Sequence, residues 1–359
     1  MERMRKRGVI CLVIAIGALA VVGCGSSSSG GSGGGGGSSG GGGSGKKYVI
    51  GVSNTLVGNG FREEMICSAK AEALASGKVS KMIIEDQNGG ASQQIAAIRT
   101  LISAGANAIV ANPADPSALN PVIAQAKQRG ITFVAADQSV TSPDAYIASN
   151  NQKLYAEIGA QWLVKKLHGH GNIVEMRGPQ GAPADTARHE GFEAVMKKNP
   201  GIHVVKSVYT NWDFPTGAKE MTNILQSGVK VDGVWTSGID YTIVDAFKTA
   251  GKPIVPIVGA DNNGFMHQML TQPAVMKNGA MVNNPAIIGG VATNIALEAL
   301  EGKNPPKVTK LHPSLWDASN VSTWKKNYDP NLPPTYGVTM SIPGQTHFTP
   351  QQLKSCKGP

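Results

Sequence analysis

Residues 132–138 read Thr132-Phe133-Val134-Ala135-Ala136-Asp137-Gln138. An apolar run of this length, bounded by polar residues, has the form of a buried parallel strand. It stops abruptly on Asp137 and Gln138, which would open the loop beyond the strand's carboxyl end. The same pattern recurs at Val49–Ser53, Lys81–Glu85, Ala108–Ala111, Asn172–Met176, Val204–Val208, Gly233–Thr236, Ile257–Gly259 and Ala280–Val282. Helix-length amphipathic segments fill the gaps. Ile95, Ile98, Leu101 and Ile102 recur at helical spacing, as do Leu154, Ile158, Trp162 and Leu163. Strands alternating with helices predict an α/β fold of parallel sheets covered on both faces.

So many short strands suit two doubly wound sheets better than one, and 359 residues suit two domains of roughly 150 residues each. The composition changes near Tyr146–Asn151, which places the first passage between lobes there. The expected layout is a first lobe at 46–149, a second lobe at 150–282, and a return to the first at about 283–312. A Pro-rich tail then covers 313–359. Leu315, Trp316, Trp324, Tyr328, Tyr336 and Phe348 would pack this tail along the body, while its prolines prevent long regular elements.

Apolar residues are 41% and charged residues 16%, which excludes a chain disordered throughout. Lys and Arg number 33 against 24 Asp and Glu, a net +9, but the basic residues of the body are scattered among acids. Nucleic-acid binding needs a clustered basic face, so it is not expected. His168 and His170 sit together on a short turn without zinc-site spacing. Neither a metal nor a cofactor is expected, and no catalytic residues are assigned. Gly40 to Lys46 spells a phosphate-loop pattern, but Lys47 stands where Ser or Thr would bind Mg²⁺ and a strand follows instead of a helix.

The first residues read as an address. Arg3, Arg5, Lys6 and Arg7 precede an apolar run from Val9 to Val22, too short for the roughly 20 residues of a membrane span. Val21-Val22-Gly23-Cys24 resembles the bacterial lipobox, which implies a lipoprotein signal peptide at 1–23 and lipidation of Cys24. An ordinary signal with an incidental Cys24 is the alternative. Residues 24–45 hold Cys24 and otherwise only Gly and Ser, a linker unable to bury apolar surface. The expected location is extracytoplasmic, anchored to the bacterial cell membrane through Cys24. With Cys11 in the signal, Cys67 and Cys356 remain. Export favours a disulfide between them. A buried Cys67 with a free Cys356 is the other possibility.

Ligands of open α/β sheets bind beyond the carboxyl ends of the strands. Those positions carry Asn59, Phe61 and Arg62, then Asp137 and Gln138, then Arg188, Trp212, Asp240, Asp261 and Asn283. Carboxylates, guanidiniums and amides suit sugar hydroxyls through charge-assisted hydrogen bonds, and flat aromatic rings suit the C–H faces of a sugar.

These segments resemble the ribose-binding protein group of periplasmic-type sugar-binding proteins. Ile50-Gly51-Val52-Ser53 followed by Asn59-Gly60-Phe61 is similar to that group's opening strand and Asn-Pro-Phe loop. Ala135-Ala136-Asp137-Gln138 resembles its strand ending in Asp-Arg. Arg188-His189-Glu190-Gly191-Phe192 resembles its Arg-x-Glu-Gly-Phe segment. Val258-Gly259-Ala260-Asp261 resembles its Val-Gly-Phe-Asp, and Asn283-Asn284-Pro285 its Gln-x-Pro. The resemblance spans roughly 48–305. It implies a type I periplasmic binding fold, with two lobes joined by a three-crossing hinge that close on a ligand. Phe61 and Trp212 would stack on the sugar, while Asn59, Asp137, Arg188, Asp261 and Asn283 hold its hydroxyls. Gly60, Arg62, Gln138 and Ser237-Gly238-Ile239-Asp240 depart from the group's pattern, so ribose itself is not the expected ligand. Arg62 would either face a substituted or acidic sugar or solvate the start of its helix.

The function implied is a monomeric, lipid-anchored substrate-binding protein that delivers a sugar or polyol to an ABC permease, and not an enzyme. The alternative is a module that reports a sugar to a membrane receptor. A transcriptional repressor with the same body would need an N-terminal helix-turn-helix. Asp137 and Asp261 read as a glycosidase pair would make an enzyme, but the resemblance makes them hydrogen-bond acceptors.

Overall fold

The computed structural model describes residues 46–359. The expected signal peptide, the expected lipidation site Cys24 and the Gly/Ser stretch after it lie outside the described residues.

The first sheet begins with β1 (Tyr48–Asn54), β2 (Val79–Asp86), β3 (Ala108–Ala111), β4 (Thr132–Asp137) and β5 (Tyr146–Asn150). Helices α1 (Gly60–Ser76), α2 (Ala91–Ser103) and α3 (Asn120–Gln128) connect its first four strands. The chain then crosses into α4 (Gln152–Lys166) and a second sheet. Its elements are β6 (Gly171–Arg177), α5 (Pro183–Met196), β7 (Ile202–Tyr209), α6 (Phe214–Gln226), β8 (Gly233–Thr236) and α7 (Asp240–Thr249). These are followed by β9 (Ile257–Ala260), α8 (Asn263–Thr271), α9 (Pro273–Asn278) and β10 (Gly279–Val282). It returns through α10 (Ile288–Leu300) and β11 (Val308–Leu311), then adds β12 (Leu315–Trp316) to the second sheet.

The strand orders are β11-β5-β4-β3-β1-β2 and β12-β10-β9-β8-β6-β7. All pairs are parallel except β10 with β12. The chain therefore passes between the sheets three times, at 150–152, 282–288 and 311–315. This is the two-lobed, three-crossing architecture that the strand rhythm and the resemblance predict. Among the strands, β5, β11 and β12 are additional to the runs singled out in the sequence.

Period-two alternation decides which core each strand residue enters. On β3, Ala108 and Val110 face the core beneath α1 and α10, while Ile109 and Ala111 face that beneath α2 and α3. On β8 and β9, Val234 and Ile257 enter the core beneath α6 and α7, while Trp235 and Val258 meet α4 and α5. Trp235 is 1% exposed, with the rings of Phe192 and Tyr155 at 5.4 and 6.2 Å. Each such large side chain stabilises its lobe by roughly 1.5–3 kcal/mol.

The tail carries α11 (Val321–Trp324) and α12 (Pro350–Ser355). Trp324 is fully buried in the second lobe's core, and Phe348 and Leu353 are buried against α1 and α10 of the first. Cys67 and Cys356 are disulfide-bonded, their Cα atoms 4.5 Å apart.

Candidate functional site

The carboxyl ends of both sheets face one cavity of about 600 Å³, its open mouth included.

From the first lobe, Asn59 caps α1, its Oδ1 accepting from the Arg62 amide at 3.1 Å. Its Nδ2 donates across the cleft to the Trp212 carbonyl at 3.0 Å. Phe61 lines the wall beside it. Arg62 is 4% exposed and donates to Asn54 Oδ1 at 3.1 Å. Burial brings its pKa down to about 10, so it stays a cation at neutral pH. It forms the cleft wall and does not solvate the helix start. Asp137 ends β4 in the left-handed region, with φ at 67°, a strained choice for a residue with a Cβ. Its Oδ1 accepts from Asn150 Nδ2 at 3.0 Å and Gln152 Nε2 at 2.8 Å.

From the second lobe, Arg188 donates to Gln152 Oε1 at 2.7 Å, to the Ser237 carbonyl at 2.8 Å and to Ser237 Oγ at 3.0 Å. Trp212 and the preceding Asn211 both have positive φ, 53° and 56°. That twist carries the indole into the cleft, where Nε1 donates to Ser237 Oγ at 2.9 Å. Position 178 must be glycine beneath it, because a Cβ there would stand 2.3 Å from the indole ring. The guanidinium carbons of Arg62 and Arg188 each lie 5.9 Å from the Trp212 ring centroid. Asp261 accepts from the Asn284 amide at 2.8 Å and from Thr339 Oγ1 at 3.1 Å. Burial raises its pKa.

The cavity thus brings together Asn59, Phe61, Arg62, Asp137, Arg188, Trp212 and Asp261, seven of the residues singled out in the sequence. Gln138, Asp240 and Asn283 do not line it, and these three expectations are corrected. Gln138 is turned aside, donating to Asn112 Oδ1 at 2.7 Å in its own lobe and accepting from the Ala184 amide of the second lobe at 2.9 Å. Asp240 is fully buried behind the wall, accepting from Thr236 Oγ1, the Ala260 amide and Asn262 Nδ2. Burial pushes its pKa up to about 6. Asn283 faces the third crossing, where its Oδ1 accepts from the amide and hydroxyl of Ser314. Its neighbour Asn284 takes the cleft position, 6% exposed, and its side-chain oxygen has no partner among the described residues.

Phe214, Ser237, Asn262, Asn284, Thr335 and Gly337 also line the cavity. The Asp213-Phe214-Pro215 helix start gives a local signal for Phe214. Thr335 and Gly337 come from the tail, with no local sequence signal.

The chemistry is two guanidiniums, two carboxylates, amides and three aromatic rings. The formal charges balance, which suits a neutral polyhydroxylated molecule with an apolar C–H face.

The family described as a periplasmic binding protein domain matches residues 50–304. A xylitol-binding protein of Mycolicibacterium smegmatis is 33% identical over 187 residues, which are 50% of this chain and 53% of that protein. That match therefore spans about half the length of that relative. The ribose import binding protein of Bacillus subtilis is 28% identical over 73% of this chain and 85% of its own length. The solved structure of an ABC transporter solute-binding protein from Thermobispora bispora superposes with a TM-score of 0.75. It is 28% identical and covers 86% of this chain and 94% of its own. The chain belongs to the periplasmic binding protein family, a solute-binding class. Within it, the chain is a periplasmic-type sugar-binding protein of the ribose-binding group, a class of extracytoplasmic ABC-transporter solute-binding proteins.

Proposed function

We propose that this protein captures a neutral pentose-sized sugar or polyol and delivers it to an ABC importer, held at the membrane through lipid on Cys24. The supporting observation is the charge-balanced set of Arg62, Arg188, Asp137 and Asp261 around the Trp212 indole. Phe61 and Trp212 stack on the ligand, Asp137 and Asp261 accept from its hydroxyls, and Arg62, Arg188 and Asn59 donate to them. The unpartnered oxygen of Asn284 accepts one more hydroxyl. The xylitol-binding relative favours an open-chain polyol among the candidates. The protein acts as a monomer whose lobes close by hinge motion. Cys24→Ala would release it into the soluble fraction, and unchanged membrane retention would remove the anchor from this reading.

The test of the ligand class is calorimetry with xylitol, D-ribose, L-arabinose and myo-inositol. Micromolar binding of at least one, about 8 kcal/mol, is expected. Binding of none, with a charged sugar acid bound instead, would overturn the assignment to neutral ligands.

A further inference from the structure

The tail is more than packing on the outside of the lobes. From Tyr328 to Thr339 it runs along the start of α8. The amides of Gly264 and Asn263 donate to the carbonyls of Pro334 and Tyr336 at 2.9 and 2.8 Å. Asn263 Nδ2 donates to the carbonyls of Asp329 and Leu332, both at 2.9 Å. The Val338 amide donates to the carbonyl of Asp261 at 3.1 Å, and Val338 is fully buried in the second lobe's core. This stretch is therefore seated on the loop that carries Asp261.

The same stretch also touches the first lobe. The Gly337 amide donates to Glu64 Oε2 at 2.7 Å. Thr335 lies so close to the start of α1 that its Oγ1 would be 2.1 Å from a Cβ on residue 60. Gly60, the departure from the usual Pro, is what makes room for the tail. Beyond Val338 the chain enters the first lobe by Ile342, a span of at most about 14 Å. There the His347 amide donates to Glu72 Oε2 at 2.8 Å, and the disulfide to Cys67 fixes the end.

We propose that residues 334–339 form a third wall of the ligand cleft, with Thr335 a ligand-contacting residue that limits the length of the bound molecule. This rests on the sugar or polyol reading above. Thr335 and Gly337 line the cavity between the start of α1 and the start of α8. Among the described residues, no hydrogen bond engages the Thr335 hydroxyl, so it is free to meet a ligand hydroxyl. The wall shuts one flank of the cleft, so the site takes a single sugar or a short polyol and excludes a chain of linked sugars. The wall is covalently pinned to the first lobe through Cys356 and hydrogen-bonded to the second at Asp261, Asn263 and Gly264.

The test uses the full chain in three forms: unaltered, Thr335→Ala and Thr335→Ser. Each is titrated by calorimetry with xylitol, D-ribose, L-arabinose and myo-inositol, and melting temperature is followed alongside. Loss of one hydrogen bond predicts affinity roughly fivefold weaker in Thr335→Ala for whichever probe the unaltered protein binds. Thr335→Ser keeps the hydroxyl and should restore most of it, with melting temperatures alike. Equal affinity in all three forms would take the tail out of the site while leaving the sugar reading intact. An unaltered protein that binds no probe would sink that reading, and Thr335's role with it. Free-peptide hydrogen exchange at Asn263, Gly264 and Val338 would show that the tail is not seated, which also overturns the proposal.

Discussion

Asn59 and Trp212 join the two lobes by one hydrogen bond of 3.0 Å, from a side-chain amide to a main-chain carbonyl. The same Asn59 side chain caps α1 through its oxygen. The two roles can be separated. Asn59→Asp keeps a capping oxygen and deletes the donor, whereas Asn59→Ala deletes both. Asn59→Asp is expected to leave the melting temperature close to unaltered and to weaken ligand binding about tenfold. Asn59→Ala should also lose about 1 kcal/mol of stability. Thermal unfolding and calorimetry on the two variants check this, and equal destabilisation by both would show that capping is not separable from closure.

Gly178→Ala should displace the Trp212 indole, since the new Cβ would stand 2.3 Å from the ring. The atoms nearest the new Cβ all belong to Trp212, so thermal stability should fall by no more than about 1–3 kcal/mol. Ligand affinity should drop at least tenfold. Tryptophan emission should shift on ligand addition in the unaltered protein and not in the variant.

The Glu64 carboxyl is fully buried, and burial raises its pKa well above the ordinary range. The bond from Gly337 offsets part of this, and Asp261 adds to it. A carboxyl held protonated in the fold but free to ionise when unfolded favours the unfolded state as pH rises past about 4.3. Stability from this group is complete below that pH and is lost toward its raised folded value, at up to about 1.4 kcal/mol per pH unit. Asp240 and Asp261 act in the same direction. Glu64→Gln keeps an acceptor for the Gly337 amide and removes the titration. It should melt higher than the unaltered protein at pH 7 and at the same temperature near pH 4. A constant difference across that range would show that Glu64 does not titrate between the two states.

Reducing the Cys67–Cys356 bond should lower stability by about 2–5 kcal/mol. The segment it closes has a sequence separation of 289. Melting with and without dithiothreitol measures the loss, and Cys356→Ser should match the reduced form and be insensitive to reductant.

The fold is legible in the sequence because buried parallel strands write themselves as short apolar runs. A strand buried on both faces needs no polar alternation, which is why a run such as Ala108–Ala111 stands out. The strands that escape are those with polar or exposed residues, Tyr146–Asn150 and Val308–Leu311, and the two-residue Leu315–Trp316. At the site, residues placed directly by a strand end or helix start, such as Asp137, Arg188 and Asp261, are legible. Asn283 is one residue out, because β10 ends at Val282 and the direction of the next two side chains depends on Ser314 across the crossing. Asp240 and Gln138 sit at the right places in the chain but turn away from the cavity, where the side-chain amide of Asn262 and the backbone amide of Ala184 claim them. Thr335 and Gly337 are not legible at all, since they meet Gly60 and Glu64 only after the whole fold has assembled.

The path of the tail bears on how the molecule comes apart. Trp324 and Val338 are rooted in one hydrophobic core, Phe348, Leu353 and the disulfide in the other. Neither core can melt without stripping tail side chains from their seats and loosening the segment that the other holds. Two lobes connected only by pliable crossings would be free to unfold as separate units; the shared tail is expected to couple them into one cooperative transition.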